Sequence, residues 1–138
     1  MRIRREAGMD DSPDFRAPLY EVKANLFKGL AHPVRIRVLE LLSEAPEVSV
    51  TDLLAATGLE SSHLSQHLTV LRRYNLVKAE RRALQMFYSL AYPRVAELLT
   101  VARLLLNDVL QTTQEQLEYS AGSSPATTSP GAAGARTR

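Results

Sequence analysis

A mostly helical α+β domain with one small β wing is what the sequence predicts, and three observations carry that expectation. Apolar residues recur at steps of three and four in successive stretches from Leu19 to Leu117, the period of amphipathic helices. A short helix closed by Gly58 leads through a turn into another whose outer side is almost wholly polar. The segment Val77 to Leu90 then splits into two strand-like runs. Helix, turn, helix and hairpin in that order make a winged helix-turn-helix.

The first helix is the stripe Leu19, Val22, Leu26 and Leu30, and Gly29 with the following Pro33 marks its end. Pro33 suits the first turn of a second helix, where its missing N–H leaves nothing unpaired, with Ile36, Leu39 and Leu42 facing inward. Val48 and Val50 form one short strand. Ser49, followed three residues later by Asp52, has the spacing of a capping box and opens a third helix. That helix runs through Leu53, Leu54 and Ala56 and stops at Gly58, a residue free to take a left-handed conformation. The fourth helix buries Leu64, Leu68 and Leu71 on one face. In the hairpin, Val77 and Ala79 alternate with charged neighbours, and Met86, Tyr88 and Leu90 alternate with Phe87 and Ser89. Arg81 to Gln85 lie near the tip, where no Asn-Gly or Asp-Gly pair fixes the turn type. The last helix spans roughly Tyr92 to Leu117.

With 138 residues and 45% hydrophobic residues, the chain has material for one domain with a real core. That domain is expected over 18–119, between a flexible arm at 1–17 and a disordered, Ser- and Gly-rich tail at 120–138. The apolar stretch Val95 to Leu110 is broken by Glu97, Arg103 and Asp108, so no membrane span is expected. No apolar segment near Met1 has the form of a secretory signal, and a cytoplasmic location is the expectation. The absence of cysteine excludes a disulfide, a thiol redox switch and a thiolate metal site. No Gly-rich phosphate loop and no arrangement of nucleophile, base and carboxylate is present, so neither an enzyme nor a cofactor is expected.

The fourth helix carries the chemistry. Its outer face and flanks present Ser61, Ser62, His63, Ser65, Gln66, His67, Thr69, Arg72 and Arg73. Short hydrogen-bonding groups stand near its start, where a helix in the major groove meets base edges, and cations follow where phosphates run. A merely solvated helix would carry Glu and Lys pairs at four-residue spacing, and none occurs here. The net charge of +2 is small, but from Ser61 to Gln85 the chain sets Arg72, Arg73, Lys78, Arg81 and Arg82 against Glu80 alone. A local basic cluster of this kind serves phosphate contact. The wing tip, with Arg81 and Arg82, is expected against the adjacent minor groove or backbone.

The last helix is apolar over more than one face, more than a monomer of this size covers. Leu98, Leu99, Ala102, Leu105, Leu106 and Val109, with Leu19, Val22 and Leu26 of the first helix, are the expected interface of a homodimer. A twofold dimer sets two reading helices about 34 Å apart on one face of double-stranded DNA, the geometry of an inverted repeat. The expected function is that of a sequence-specific DNA-binding transcriptional regulator acting as a dimer. The competing reading is a winged helix turned protein-interaction module, which would be expected to lose these arginines and expose acids or apolar groups on the same face.

Leu26-Phe-Lys-Gly-Leu-Ala-His-Pro-Val-Arg-Ile-Arg-Val-Leu-Glu-Leu-Leu42, Ser65-Gln-His-Leu-Thr-Val-Leu71 and Arg82 to Leu90 together resemble the ArsR/SmtB family of bacterial winged-helix repressors. The resemblance covers about Leu19 to Leu110. It implies a homodimer that binds an operator and lets go when an inducer arrives. By position it puts Ser62, His63, Ser65, Gln66, His67 and Thr69 at the DNA, with Arg72, Arg73 and the wing arginines on phosphates. The family's arsenic- and cadmium-type site uses two cysteines at the start of the third helix, and the matching positions here are Ser49 and Thr51. Its zinc-type site uses Asp, His and Glu on the last helix, where this chain has Asp108 but no histidine. A member lacking the usual metal-site residues is therefore expected, with no metal. Its signal would be either an unidentified small-molecule effector or protein concentration alone. His63 and His67 have a spacing that can hold a metal, yet DNA contact or helix packing accounts for both. His32, ahead of Pro33, is read as a hinge or capping residue.

Overall fold

The computed structural model describes residues 16–123, in the order α1 Leu19–Leu30, α2 Pro33–Ser43, β1 Val48–Ser49, α3 Val50–Thr57, α4 Ser61–Arg73, β2 Val77–Arg82, β3 Gln85–Leu90 and α5 Arg94–Ser123. The arm expected at 1–17 lies outside the described residues except for Arg16 and Ala17, as does the tail beyond Ser123. The chain divides into two compact units, one ending at Leu98 and one beginning at Leu99.

In the first unit, Val38, Leu39, Leu42, Leu53, Leu64 and Leu71 are almost fully buried. Each contributes roughly 1.5–3 kcal/mol by leaving water. Val38 joins Leu39 and Leu42 on the inner side of α2, whereas Ile36, expected there, is half-buried. Gly29 does not end α1. It lies inside the helix and is buried, and the C-cap is Ala31. Its lack of a side chain, not its backbone freedom, is what the fold uses: a Cβ there would stand 2.7 Å from Cγ of Tyr74.

Ser49 serves two elements. It pairs with Phe87 in the sheet, and its Oγ accepts a hydrogen bond from the Asp52 N–H at 3.0 Å, which opens α3. Val50, expected in the strand, is therefore the first residue of the helix. The sheet is antiparallel in the order β1-β3-β2, with Val48 opposite Tyr88 and Val77 opposite Leu90. Arg82 pairs with Gln85, which leaves Ala83 and Leu84 as a two-residue turn. Ala83 has φ 56°, the left-handed region that glycine or asparagine normally fills in such hairpins.

Helix α4 ends in a Schellman arrangement. The Leu76 N–H donates to the Leu71 carbonyl at 2.9 Å, the Asn75 N–H to that of Arg72 at 2.9 Å, and Asn75 has φ 62°. Leu71 and Leu76 are both buried, which adds the apolar contact that accompanies the motif.

From Leu99 onward the second unit is the continuation of α5. Every residue described in it from Thr100 to Gly122 is exposed, including Val101, Leu104, Leu105, Leu106, Val109 and Leu110. The helix passes both its expected end at Leu117 and the expected start of the tail at Ser120. Gln111 with Glu115 and Gln114 with Glu118 bridge successive turns, and no proline lies between Pro93 and Pro125. No helix among the described residues is long and apolar enough to cross a membrane.

Candidate nucleic-acid interface

The turn between α3 and α4 is set by Gly58, whose φ of 71° lets its N–H close on the Leu54 carbonyl at 2.9 Å. Leu59 and Glu60 complete the turn, and α4 leaves with Leu64, Leu68 and Leu71 pinned in the core. That burial fixes the rotation of the helix about its axis, and rotation decides which side chains face out. Ser61, Ser62, His63, Ser65, Gln66, Thr69, Arg72 and Arg73 are all exposed. No side chain caps the start of α4, so its first-turn amides stand uncovered at the positive end of the helix dipole. Thr69 donates its hydroxyl to the Ser65 carbonyl at 2.9 Å, which keeps its methyl group and oxygen lone pairs for an outside partner. Arg72 and Arg73 sit in the last turn, and no ion pair holds either among the described residues.

His67 stands apart from this row. It is half-buried, with its ring centroid 4.2 Å from that of His32 and Arg35 Nη1 at 3.5 Å from its Nδ1. Arg35 in turn donates from Nε to the Gly29 carbonyl at 2.7 Å and from Nη2 to that of Lys28 at 3.3 Å. His32 is the N-cap of α2, its Nδ1 accepting from the Val34 N–H at 3.0 Å, which settles the choice between hinge and cap. Burial first, then His32, Arg35 and His63, hold the His67 imidazole below its ordinary pKa and favour the neutral ring.

The two wing arginines differ. Arg82 lays its guanidinium 4.0 Å over the Phe87 ring and reaches across β3 to an ion pair with Glu47, ahead of β1. Its charge is thus tied to the sheet. Arg81 points to the other strand face, with no ion pair among the described residues. Leu84 at the tip is 92% exposed.

Sequence reasoning missed Arg35 and Glu47. A cation in the first turn of a helix opposes the helix dipole, so Arg35, two residues after Pro33, carried a local signal that it needed an acceptor elsewhere. Glu47 carried none, because its partner is remote in sequence. Among the described residues no group of three or more His, Cys, Asp or Glu side chains is placed to hold a metal.

A family profile described as bacterial regulatory protein, arsR family, matches residues 32–79. The uncharacterised HTH-type transcriptional regulator Rv0081 of Mycobacterium tuberculosis is 57% identical over 94 residues, which is 67% of this chain and 82% of the relative. The crystal structure of that protein matches with a TM-score of 0.65 at 55% identity, over 70% of this chain and 97% of the other. The solution structure of the homodimeric winged helix-turn-helix DNA-binding domain Mb0332 from Mycobacterium bovis matches with a TM-score of 0.61 at 29% identity, over 69% and 87%. The crystal structure of the transcriptional repressor BigR from Xylella fastidiosa matches with a TM-score of 0.55 at 36% identity, over 63% and 85%.

Proposed function

The chain belongs to the arsR family of bacterial regulatory proteins, and from that premise we propose how it meets DNA. It is a DNA-binding transcriptional regulator of the repressor type and not an enzyme. Two copies form a homodimer through α5 and α1, and each inserts α4 into a major groove of an inverted-repeat operator. Occupation of a promoter then excludes polymerase. The cytoplasm is where such a protein acts.

The observation that carries this reading is the row Ser62, Ser65, Gln66 and Thr69, exposed on a helix whose opposite face is locked into the core. Gln66, with donor and acceptor on one amide, suits an adenine edge. Arg72, Arg73 and Arg81 supply cations for phosphates, and Arg82 braces the wing that carries Arg81. Exposed Leu105, Leu106 and Val109, with exposed Leu19, support the dimer seat.

Control does not run through the cysteine-type metal site. Ser49 stands at one of its positions, and its hydroxyl is already the cap of α3. With no cysteine in the sequence, that site has no thiolate to offer a soft metal. A small-molecule effector near the dimer helices or control by concentration alone both fit.

Selection of bound duplexes from a random pool, with the protein's mass in solution measured alongside, tests the whole reading. The expected result is a symmetric pair of half-sites one helical turn apart, bound by two chains. A monomer with no sequence preference at low ionic strength would overturn it.

A further inference from the structure

Beside their buried leucines, α2 with its cap and α4 also meet through polar groups, Arg35 and His32 on one side and His67 on the other. Arg35 is the anchor: Nε and Nη2 take the carbonyls of Gly29 and Lys28 at the end of α1. The Lys28 carbonyl also accepts the Ala31 N–H at 3.3 Å, and carbonyls at the end of a helix carry partial negative charge, so a guanidinium is well held there. Its remaining arm meets Nδ1 of His67, midway along α4. A guanidinium only donates, so His67 Nδ1 accepts and the ring carries its proton on Nε2. His32 Nδ1 likewise accepts, from the Val34 N–H, and the two rings lie against each other.

We infer that Arg35 is a positioning residue for α4, fixing the reading helix through His67, and that this junction holds only while the His67 ring is neutral. The inference rests on the reading of α4 as the helix that meets DNA.

The chemistry follows from the geometry. A protonated imidazole cannot accept a hydrogen bond. Protonation of His67 removes the Arg35 contact and sets a cation against the guanidinium and beside His32. The titratable and charged groups that face His67 are His32 and Arg35 from α2 and His63 from its own helix, all basic. Among the described residues no carboxylate contributes to the field at His67, so acid drives α2 and α4 apart. His67 adjoins Gln66, hence a shift of α4 at this junction displaces Gln66 from a base edge while the buried leucines keep the domain folded.

The alternative is that His67 touches phosphate directly. It predicts the opposite sign, because a protonated ring beside phosphates binds them more tightly.

The test has two arms on the full-length chain. In the first, imidazole and backbone NMR signals are followed from pH 8 to 5 without DNA. The α4 amides around Gln66 should move along the titration curve of His67. His32→Asn, which keeps a good N-cap but removes the second ring, should raise the pH at which His67 titrates. A His67 ring that titrates without any response in α4 overturns the inference. In the second arm, affinity for a labelled duplex recovered by random-pool selection is measured over the same range at fixed ionic strength, with far-UV circular dichroism confirming the fold. Wild type should lose roughly five- to tenfold between pH 7.5 and 5.0 as the competent fraction falls. His32→Asn should bind within about twofold of wild type at pH 7.5 and lose less in acid. Arg35→Ala should bind several-fold more weakly at pH 7.5 and show a flattened profile. Affinity that climbs in acid overturns the inference in favour of phosphate contact. If no duplex binds at any pH while the α4 amides still follow His67, the DNA reading fails and the junction stands.

Discussion

Tyr74, the residue that closes α4, packs directly on Gly29 of α1, where an added Cβ would come within 2.7 Å of the ring. The proposed reading helix is therefore seated on a helix that carries part of the expected dimer face. Gly29→Ala forces the ring or α1 to move. Overpacking of this kind costs about 1–3 kcal/mol, against a helix-propensity gain of roughly 0.5–1 kcal/mol. The urea midpoint should fall with an unchanged slope. An equal or higher midpoint would mean that the ring yields freely.

At Asn75 the backbone is left-handed, and two hydrogen bonds depend on it. Asn75→Gly should leave thermal stability equal or slightly raised. Asn75→Val should lower it by about 1–2 kcal/mol, since a β-branched residue resists positive φ. Similar melting temperatures for the two variants would refute the motif's role.

In the wing, Glu47 and Arg82 neutralise each other at the sheet surface. Glu47→Gln should release the guanidinium toward phosphate and steepen the salt dependence of DNA binding. Arg81→Ala should reduce that slope by about one. Titrations from 50 to 300 mM salt read both, and a slope unchanged by Arg81→Ala would remove it from the interface.

For Gln66, replacement by Ala should cost about 1–3 kcal/mol on the selected duplex and little on random DNA. Equal losses on both would argue that Gln66 does not read a base.

Stability should also respond to acid through His67. Its folded pKa lies below the ordinary imidazole value of 6.5, so the unfolded chain binds the proton more readily. The stabilisation is complete above pH 6.5 and is lost as pH falls through the lower folded value. Denaturant midpoints for wild type should decline in that window, and those for His67→Gln should decline less.

The periodic elements were legible in the sequence because one chemical rule fixed each. Leu64, Leu68 and Leu71 could only share one face, Gly58 could only end a helix, and Ser49 with Asp52 could only open one. The long apolar helix was legible in character but not in extent, because the polar run Gln111 to Glu118 holds it by side-chain bridges that apolar periodicity does not register. What escaped notice depends on contacts between distant residues. Gly29 looks like a helix stop until Tyr74 is seen against it. His67 looks like an outward polar residue until His32 and Arg35 arrive from α2, and Arg82 looks like a free cation until Glu47 is placed beside it.

The uncovered flank of α5 bears on how long a single copy lasts. A lone helix in water sits near the balance between order and coil, so an orphan subunit unwinds there first. Unwound, exposed backbone is the substrate of cellular proteases. In the proposed dimer that segment is covered, so chains produced in excess of their mates should be the first degraded.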